Sequence, residues 1–269
     1  MGTSGTPPIG RAAAVPSYVV EPPPPIEVPY PPEDRPVGRR AVLGMLGLGA
    51  AGVLWGARAQ TALESLLQPI AIRDGTGLTG LLPATGRFRI YTVTGTLPSR
   101  RDEEYRLTVD GDVERPAVLD IADVRERLPQ SALTRDFQCV TGWRVLDVPW
   151  RGVKLADLLD EVGVRSTATH VRFWSFDGVY TETLTLGQAR RDDVLVAHHL
   201  QGKPVTRAHG GPVRLYVAPM YGYKSLKWLE RIEVVRVLDH PTDPGYWERL
   251  GYDTDAWVGQ SNGRTDDPI

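Results

Sequence analysis

Cys139 is the side chain with the clearest capacity for chemistry, because it is the only cysteine among the 269 residues. A lone cysteine forms no intramolecular disulfide, and its thiolate can act as a soft metal ligand or a nucleophile. The alternative is a small buried apolar residue without a chemical role. The alternation over residues 133–140 predicts a strand, and Thr141-Gly142 breaks it. Cys139 is therefore expected at a strand end or in the loop that follows.

The cysteine opens an ordered series of motifs. Trp143 and then Trp150-Arg151-Gly152-Val153 follow it, and a further run, His-Gly-Gly-Pro-Val-Arg-Leu, begins at His209. The last run is Tyr-Gly-Tyr-Lys-Ser-Leu-Lys-Trp, from Tyr221. In this order and spacing, across about residues 86–237, the motifs resemble the sulfite oxidase family of molybdopterin enzymes. Each motif alone is only moderately specific, and each has an ordinary structural interpretation as a turn, a surface ion pair or a solvent-facing lysine.

The resemblance implies a molybdenum-molybdopterin cofactor and an oxidoreductase that transfers oxygen atoms. Cys139 is expected to be the protein ligand of the metal and the catalytic residue, since thiolates match a soft metal centre. The implied fold is α+β, a sulfite oxidase-type molybdopterin-binding domain of mixed sheets and short helices, without the family's C-terminal dimerisation domain.

The same resemblance implies a set of cofactor contacts, in which Leu226 takes part through its backbone. The cofactor carries a phosphate, which needs arginine, lysine or backbone N–H donors, so Arg214, Lys224 and Lys227 are candidate donors. The expected cofactor-binding residues are Tyr91, Thr92, Val93, Thr94, Cys139, Ser175, Asp177, His209, Arg214, Ser225, Leu226 and Lys227.

The substrate is predicted from a departure from the family pattern. Sulfite oxidases carry an arginine facing the substrate anion on the first strand of the domain, and the matching position here is near Thr92. A substrate face of Tyr91, Trp143 and Tyr221 suits a neutral sulfur group. We therefore expect reduction of a sulfoxide or N-oxide-like substrate, as in the short, exported, methionine-sulfoxide-reducing branch. Sulfite dehydrogenation is the alternative, since Arg144 could restore a charge.

The expected partners are a small-molecule substrate and a separate electron-transfer protein. The sequence has no haem-attachment motif and no iron–sulfur cysteine set, so electrons must pass to or from another protein, for which the resemblance offers a membrane haem subunit. The missing dimerisation domain predicts a monomer. A net charge of −2 and a pI near 6.2 argue against nucleic-acid binding. A cofactor-free, membrane-tethered binding module is the alternative from another functional class.

Composition divides the chain into four parts. Residues 1–38 are rich in proline and are predicted to be a disordered arm. Residues 39–59 begin with Arg39-Arg40 and continue as an uncharged run over residues 41–57, which predicts either a twin-arginine export signal or a membrane anchor. Either way, the catalytic domain is expected outside the cytoplasmic membrane. Residues 60–80 are a linker, and residues 81–269 form the domain.

Short strands mixed with short helices, without a regular alternation of the two, predict an α+β domain. An apolar stripe of Leu155, Leu158, Leu159 and Val162 predicts a short helix. Tyr246, Trp247, Tyr252 and Trp257 predict a C-terminal loop pinned to the domain by aromatic rings. The other predicted strands are 88–93, 105–109, 171–176, 181–186, 194–198, 213–217 and 232–237, and the other helical segments are 122–128 and 187–191.

Overall fold

A computed structural model of the chain describes residues 88–141, 143–236 and 245–259. The predicted arm, export segment and linker lie outside the described residues, as do residues 81–87 of the predicted domain. No helix in the described part of the chain is both long enough and apolar enough to cross a membrane.

The elements are short strands with two short α-helices, as predicted for an α+β domain. The helices are α1, Leu155–Val162, and α2, Leu186–Ala189. The strands are β1 Leu107–Gly111, β2 Ala117–Leu119, β3 Ser131–Gln138, β4 Arg144–Lys154, β5 His170–Ser175, β6 Thr181–Thr185, β7 Val194–Leu200, β8 Lys203–Pro204, β9 Arg214–Val217 and β10 Leu229–Val235.

Two mixed or antiparallel sheets carry the domain. The first has the strand order β2-β1-β10-β5-β6, with β1 and β10 parallel and the other pairs antiparallel. The second has the order β3-β4-β7-β8, with β9 also paired to β7. Strand β5 shows the alternation that one packed face requires, since Val171 and Phe173 are fully buried between more exposed neighbours.

Helix α1 confirms the prediction made from its apolar stripe. Leu155, Leu158, Leu159 and Val162 recur at helical spacing, and all four are buried in the main core. The helix ends at Gly163, whose φ of 68° lies in the left-handed region that glycine adopts without a steric penalty.

Strand β4 is the longest element that sequence reasoning missed. It runs through Pro149, which lacks the N–H that a strand residue donates, and this residue type argues against a central strand. Gly152 explains how β4 still pairs closely with β7: a Cβ there would lie 2.2 Å from the carbonyl oxygen of Val196. The register also shifts between Arg151 and Gly152, so a bulge absorbs the irregularity.

The predicted strand at residues 88–93 is wrong. This segment forms no strand and contains a single bridge residue, Tyr91. Its apolar side chains instead pack on rings of the second sheet: Phe88 lies 5.3 Å from Phe137 and 6.2 Å from Trp143, centroid to centroid. The alternation therefore reflects packing of an irregular segment and not a hydrogen-bonded ladder.

The remaining predictions match the elements within a few residues, and the small strands β2 and β8 were not predicted. The predicted helix at 122–128 is a single π-helical turn, Asp123–Arg127. The C-terminal aromatic loop is confirmed over residues 245–259, where Tyr246 stacks on Tyr180 and Trp247 lies edge-on to Tyr252.

Candidate functional site

Cys139 lies directly after β3, as its sequence context predicted. Its backbone N–H donates to the carbonyl oxygen of Trp143 at 2.8 Å, which closes the turn into β4. The Thr141 hydroxyl donates to Cys139 Sγ at 3.2 Å. The thiol is free and half-buried, so the turn presents one oriented sulfur atom.

The thiol lines a cavity that holds roughly 1010 Å³ of space, counted out to its open mouth. Nine of the twelve predicted cofactor contacts line it: Tyr91, Thr92, Val93, Cys139, Asp177, His209, Arg214, Ser225 and Lys227.

Arg214 is a buried guanidinium, 2% exposed, at the start of β9. It donates to the carbonyl oxygens of His209 at 2.7 Å, Ser225 at 2.8 Å and Leu215 at 3.3 Å. Burial lowers the pKa of Arg214 to about 10. Among the described residues no carboxylate forms an ion pair with it. Its charge is solvated by carbonyl dipoles and by the faces of the Phe137 and Trp150 rings, and it favours an incoming anion.

Lys227 places a second, half-buried cation at the cavity. Its Nζ donates to the carbonyl oxygens of Tyr91 at 2.9 Å and Ala208 at 3.3 Å, so it ties the first described segment to the site. Burial, followed by repulsion from Arg214, lowers the pKa of Lys227 to about 7. Gly210 makes the necessary room, because a Cβ there would lie 2.6 Å from the Lys227 Cβ.

His209 lies beside these cations in its neutral form. Its Nδ1 is 3.0 Å from the Thr206 hydroxyl, and its ring meets Phe88 edge-on at 5.2 Å. Burial lowers the pKa of His209 to about 4, with further contributions from Arg214 and Lys227. A neutral imidazole donates or accepts one hydrogen bond without adding charge.

The lining is positive overall. Arg89, Arg214 and Lys227 face one carboxylate, Asp177, among the described lining residues. Asp177 Oδ1 accepts hydrogen bonds from the N–H groups of Val179 and Tyr180. Burial raises the pKa of the Cys139 thiol, whereas Thr141, Arg89 and Lys227 oppose that rise. One soft thiol beside a surplus of cations fits a molybdenum–pterin group with a phosphate.

Three predicted contacts do not line the cavity. The Ser175 hydroxyl accepts from the Asp177 N–H at 3.1 Å and so shapes the turn that brings Asp177 to the wall. The carbonyl oxygen of Leu226 accepts from the Leu215 N–H at 2.9 Å inside the core. Thr94 is exposed. The Ser175 hydroxyl and the Leu226 carbonyl oxygen therefore already have hydrogen-bond partners within the protein.

Lys224 is also not at the cavity. Its ammonium is fully buried between the carboxylates of Glu182 and Glu248, so it is not a candidate phosphate donor. The sequence places Lys224 and Lys227 three residues apart, but the one-turn helix Gly222–Lys224 ends between them and directs them to different surroundings.

Sequence reasoning missed several lining residues. Arg89 is an arginine of the first described segment and lines the cavity, whereas the prediction looked for that charge near Thr92. Arg144 and Tyr221 are not among the lining residues, while Tyr91 and Trp143 are. The other missed aromatic side chains, Tyr180, Tyr223, Trp247 and Tyr252, come from distant parts of the chain. Only the position of Arg89, next to the predicted contacts, offered a local signal.

One thiol beside a surplus of cations in one cavity of an α+β domain suits a metal-containing anionic cofactor. A family model described as "Oxidoreductase molybdopterin binding domain" matches residues 94–247, which is more than half of the chain. The chain therefore belongs to this family, whose members here include sulfite oxidase and methionine-sulfoxide reductase subunits, and it is a molybdenum-cofactor oxidoreductase. Family membership replaces the alternative of a cofactor-free binding module.

Several curated relatives match the chain. The uncharacterized oxidoreductase YuiH of Bacillus subtilis is 35% identical over 170 residues, 62% of this chain and 83% of that protein. The sulfite oxidase of Arabidopsis thaliana is 34% identical over 167 residues, which cover 49% of this chain and 42% of that enzyme. The protein-methionine-sulfoxide reductase catalytic subunit MsrP of Ralstonia nicotianae is 27% identical over 227 residues, 73% of this chain and 68% of that subunit. The chain thus spans less than half of the plant enzyme.

Proposed function

We propose that this oxidoreductase removes an oxygen atom from a sulfoxide or N-oxide-like substrate. The observation that carries the proposal is the aromatic wall beside the thiol, where Tyr91 and Trp143 line the cavity with Cys139. Aromatic rings interact favourably with a neutral, polarisable sulfur group. The similarity to MsrP over 73% of this chain supports the same substrate class.

The cofactor, when bound, supplies two-electron oxygen-atom transfer, and the chain supplies orientation and electrostatics. Cys139 would hold the metal through its thiolate, with the Thr141 hydroxyl fixing the direction of the sulfur. Arg214 and Lys227 would hold the phosphate. The buried aromatic residues around them exclude water from the pocket.

The reaction needs electrons and protons from outside the pocket. A sulfoxide takes up two electrons and two protons, its S–O bond breaks, and a sulfide and water leave. We propose a separate haem protein as the electron donor, because the relative MsrP is described as a catalytic subunit. The products are a neutral sulfide and water, so neither product is held in the pocket by an ion pair.

Sulfite oxidation is the second candidate, and Arg89 is the observation that favours it. A guanidinium in the lining can bind an oxoanion through two parallel hydrogen bonds. In that direction sulfite gains an oxygen atom from water, and two electrons and two protons leave, the electrons going to a haem protein acceptor. The charge that Thr92 lacks is therefore supplied three residues earlier, by Arg89.

A paired assay on purified holoenzyme tests the proposal. We expect turnover of a dialkyl sulfoxide with a reduced viologen, and at least roughly tenfold lower kcat/KM for sulfite with ferricyanide, a difference of about 1.4 kcal/mol in transition-state binding. The proposal is overturned if the enzyme oxidises sulfite efficiently and does not reduce the sulfoxide. In that case Arg89→Gln should weaken sulfite turnover.

Cys139→Ser tests the metal-binding role independently of substrate. We expect molybdenum per chain to fall close to zero by metal analysis, because an alcohol is a poor ligand for a soft metal. Thr141→Val is the matched control, since it removes only the hydroxyl that donates to Sγ and should retain the metal. Full molybdenum content in Cys139→Ser contradicts the role of the thiolate.

A further inference from the structure

One wall of the cavity is built by a segment far from the predicted motifs. Residues 245–259, called the strap below, bring Trp247 and Tyr252 to the lining. Tyr252 is 3% exposed, and its ring contacts Tyr223, another lining residue, at 5.4 Å. The family model ends at residue 247, so most of the strap lies beyond the shared family pattern.

Backbone contacts fasten the strap at both ends. At its start, Gly245 bridges Glu182, and the Tyr246 N–H donates to the Thr181 carbonyl oxygen at 2.9 Å. Near its end, Trp257 bridges Met220. The first anchor is the edge strand β6 of the first sheet, so the strap also covers part of an edge that would otherwise be open.

Side chains hold the middle and the end of the strap. The Tyr223 hydroxyl donates to the Asp253 carbonyl oxygen at 2.7 Å, and Gln188 Nε2 donates to Asp255 Oδ1 at 2.7 Å. The Arg191 guanidinium lies 5.2 Å from the centre of the Trp257 ring. These contacts keep the strap against the domain but are individually modest in energy.

The strongest fastening is a buried charge cluster. Lys224 Nζ donates to Glu248 Oε1 of the strap at 2.5 Å, to the Thr183 carbonyl oxygen at 2.9 Å and to the Glu182 carboxylate. The three ionisable side chains of the cluster are at most 1% exposed. Burial, followed by the charge of Glu248, raises the pKa of Glu182, while Lys224 opposes that rise, so the lysine holds the two carboxyl groups together.

If the strap moves away, Lys224 keeps Glu182 and the Thr183 carbonyl oxygen as partners but loses Glu248. Withdrawing Glu248 would leave a buried ammonium with one fewer counter-charge, which is far more costly than losing an exposed ion pair. Packing is also tight, because a Cβ on Gly245 would lie 2.3 Å from Glu248 Oε2. Lys224 therefore favours the closed strap over any open arrangement.

We propose that the strap closes one side of the cofactor pocket and that Lys224 is the positioning residue that keeps the strap in place. Lys224 does not touch the cavity. It acts through Glu248, which holds Trp247 and Tyr252 as the outer wall. The strap thereby slows the escape of bound cofactor, whatever the substrate of the enzyme proves to be.

Hydrogen exchange and cofactor retention on full-length holoenzyme test the latch. In Lys224→Met, we expect amides of the strap to exchange roughly tenfold faster or more while β5 and β10 keep their protection, because local opening reports local stability. Molybdenum released into buffer over time should rise by a similar factor. Lys154→Met is the control, because its ion pair with Asp192 is solvent-exposed and lies outside the lining residues.

Two further variants separate latching from folding. If Lys224→Met is unfolded, Glu248→Gln keeps an acceptor for Lys224 and should still speed strap exchange. Trp247→Ala leaves the charge cluster intact and should speed molybdenum release with a smaller change in strap exchange than Lys224→Met causes. The proposal is overturned if the Lys224 or Glu248 variant loosens all elements equally or leaves strap exchange unchanged, or if Trp247→Ala releases cofactor at the wild-type rate.

Discussion

Lys227 and Arg214 share a property that separates them from ordinary surface cations. Both are desolvated at the cavity and bonded mainly to carbonyl oxygens, so burial lowers the pKa of each. For Lys227 the lowered pKa of about 7 means that the ammonium is only partly populated at neutral pH. An anion bound beside it would restore the charge, so ligand binding and protonation are linked.

The titration of Lys227 is directly measurable because the chain has only four lysines. In cofactor-free protein with 13C-labelled lysine, we expect one Cε resonance to titrate near pH 7 and to vanish in Lys227→Met. Lys154 and Lys224 should titrate higher, since partner carboxylates raise the pKa of each. Sulfate, a dianion with no titration in this range, should move the Lys227 midpoint upward.

The same residue makes stability depend on pH with a defined sign. The folded-state pKa of Lys227 lies below its unfolded value, so the unfolded chain binds more protons between about pH 7 and 10.5. Its contribution to the free energy of unfolding therefore rises with pH across that window. A Lys227 midpoint above pH 10 without anion would contradict both the burial and the linkage.

At the scale of elements, the site depends on how closely β4 approaches β7. Strand β4 follows the Cys139 turn and carries Trp150, whose ring stacks on Tyr216 of β9 at 4.2 Å. Gly152 permits this approach because it has no side chain to meet the Val196 carbonyl oxygen. Separation of the two strands would displace the aromatic cluster on which Phe88 and Cys139 pack.

Gly152→Ala is expected to destabilise the domain by about 1–3 kcal/mol or more, since the new methyl group overlaps backbone atoms that cannot move away cheaply. Gly187→Ala is the matched control: its Cβ meets nothing nearer than 4.0 Å, and it lies in α2. That change should be neutral or stabilising by up to about 1 kcal/mol. Urea unfolding midpoints measure both variants, and equal midpoints would show that the close approach is not required.

At the scale of the whole molecule, the cavity combines distant parts of the chain. The first described segment, the turn after β3, the residues flanking β9 and the strap all contribute lining residues. Such a site forms only when both sheets and the strap are in place.

We propose that the chain is exported in the folded state by the twin-arginine route. Replacing Arg39 and Arg40 by lysine should keep the catalytic domain in the cytoplasm, because that route reads the arginine pair. Cell fractionation followed by detection of the domain measures the outcome. Arg35→Lys, a change outside the pair, is the control. Normal export of the double variant would point to another route.

The expected monomer remains a prediction.

The local sequence was sufficient for several features because each depends on nearby residues. Helix α1 follows from its apolar stripe, and the position of Cys139 follows from an alternating strand ended by Thr141-Gly142. The cofactor class followed from the order of the motifs. Six of the nine predicted contacts in the cavity lie on strands or on the loops that join them, and the pairing of those strands is strongly specified by the core. The other three, Tyr91, Thr92 and Val93, lie on the irregular first segment.

Long-range packing decided the rest. The alternation of apolar and polar residues at 88–93 is the same for a hydrogen-bonded strand and for an irregular segment that packs on aromatic rings. The sequence could therefore not exclude a strand there. Arg89 and Thr92 lie on one short segment, and which of them lines the cavity depends on the backbone path. Lys224 and Lys227 look equivalent in the motif, but only Lys224 forms ion pairs with Glu182 and Glu248. These carboxylates lie 42 and 24 residues away from it in sequence. Pairings across such separations carry no local pattern, because burial and counter-charge arise only when the sheets and the strap come together.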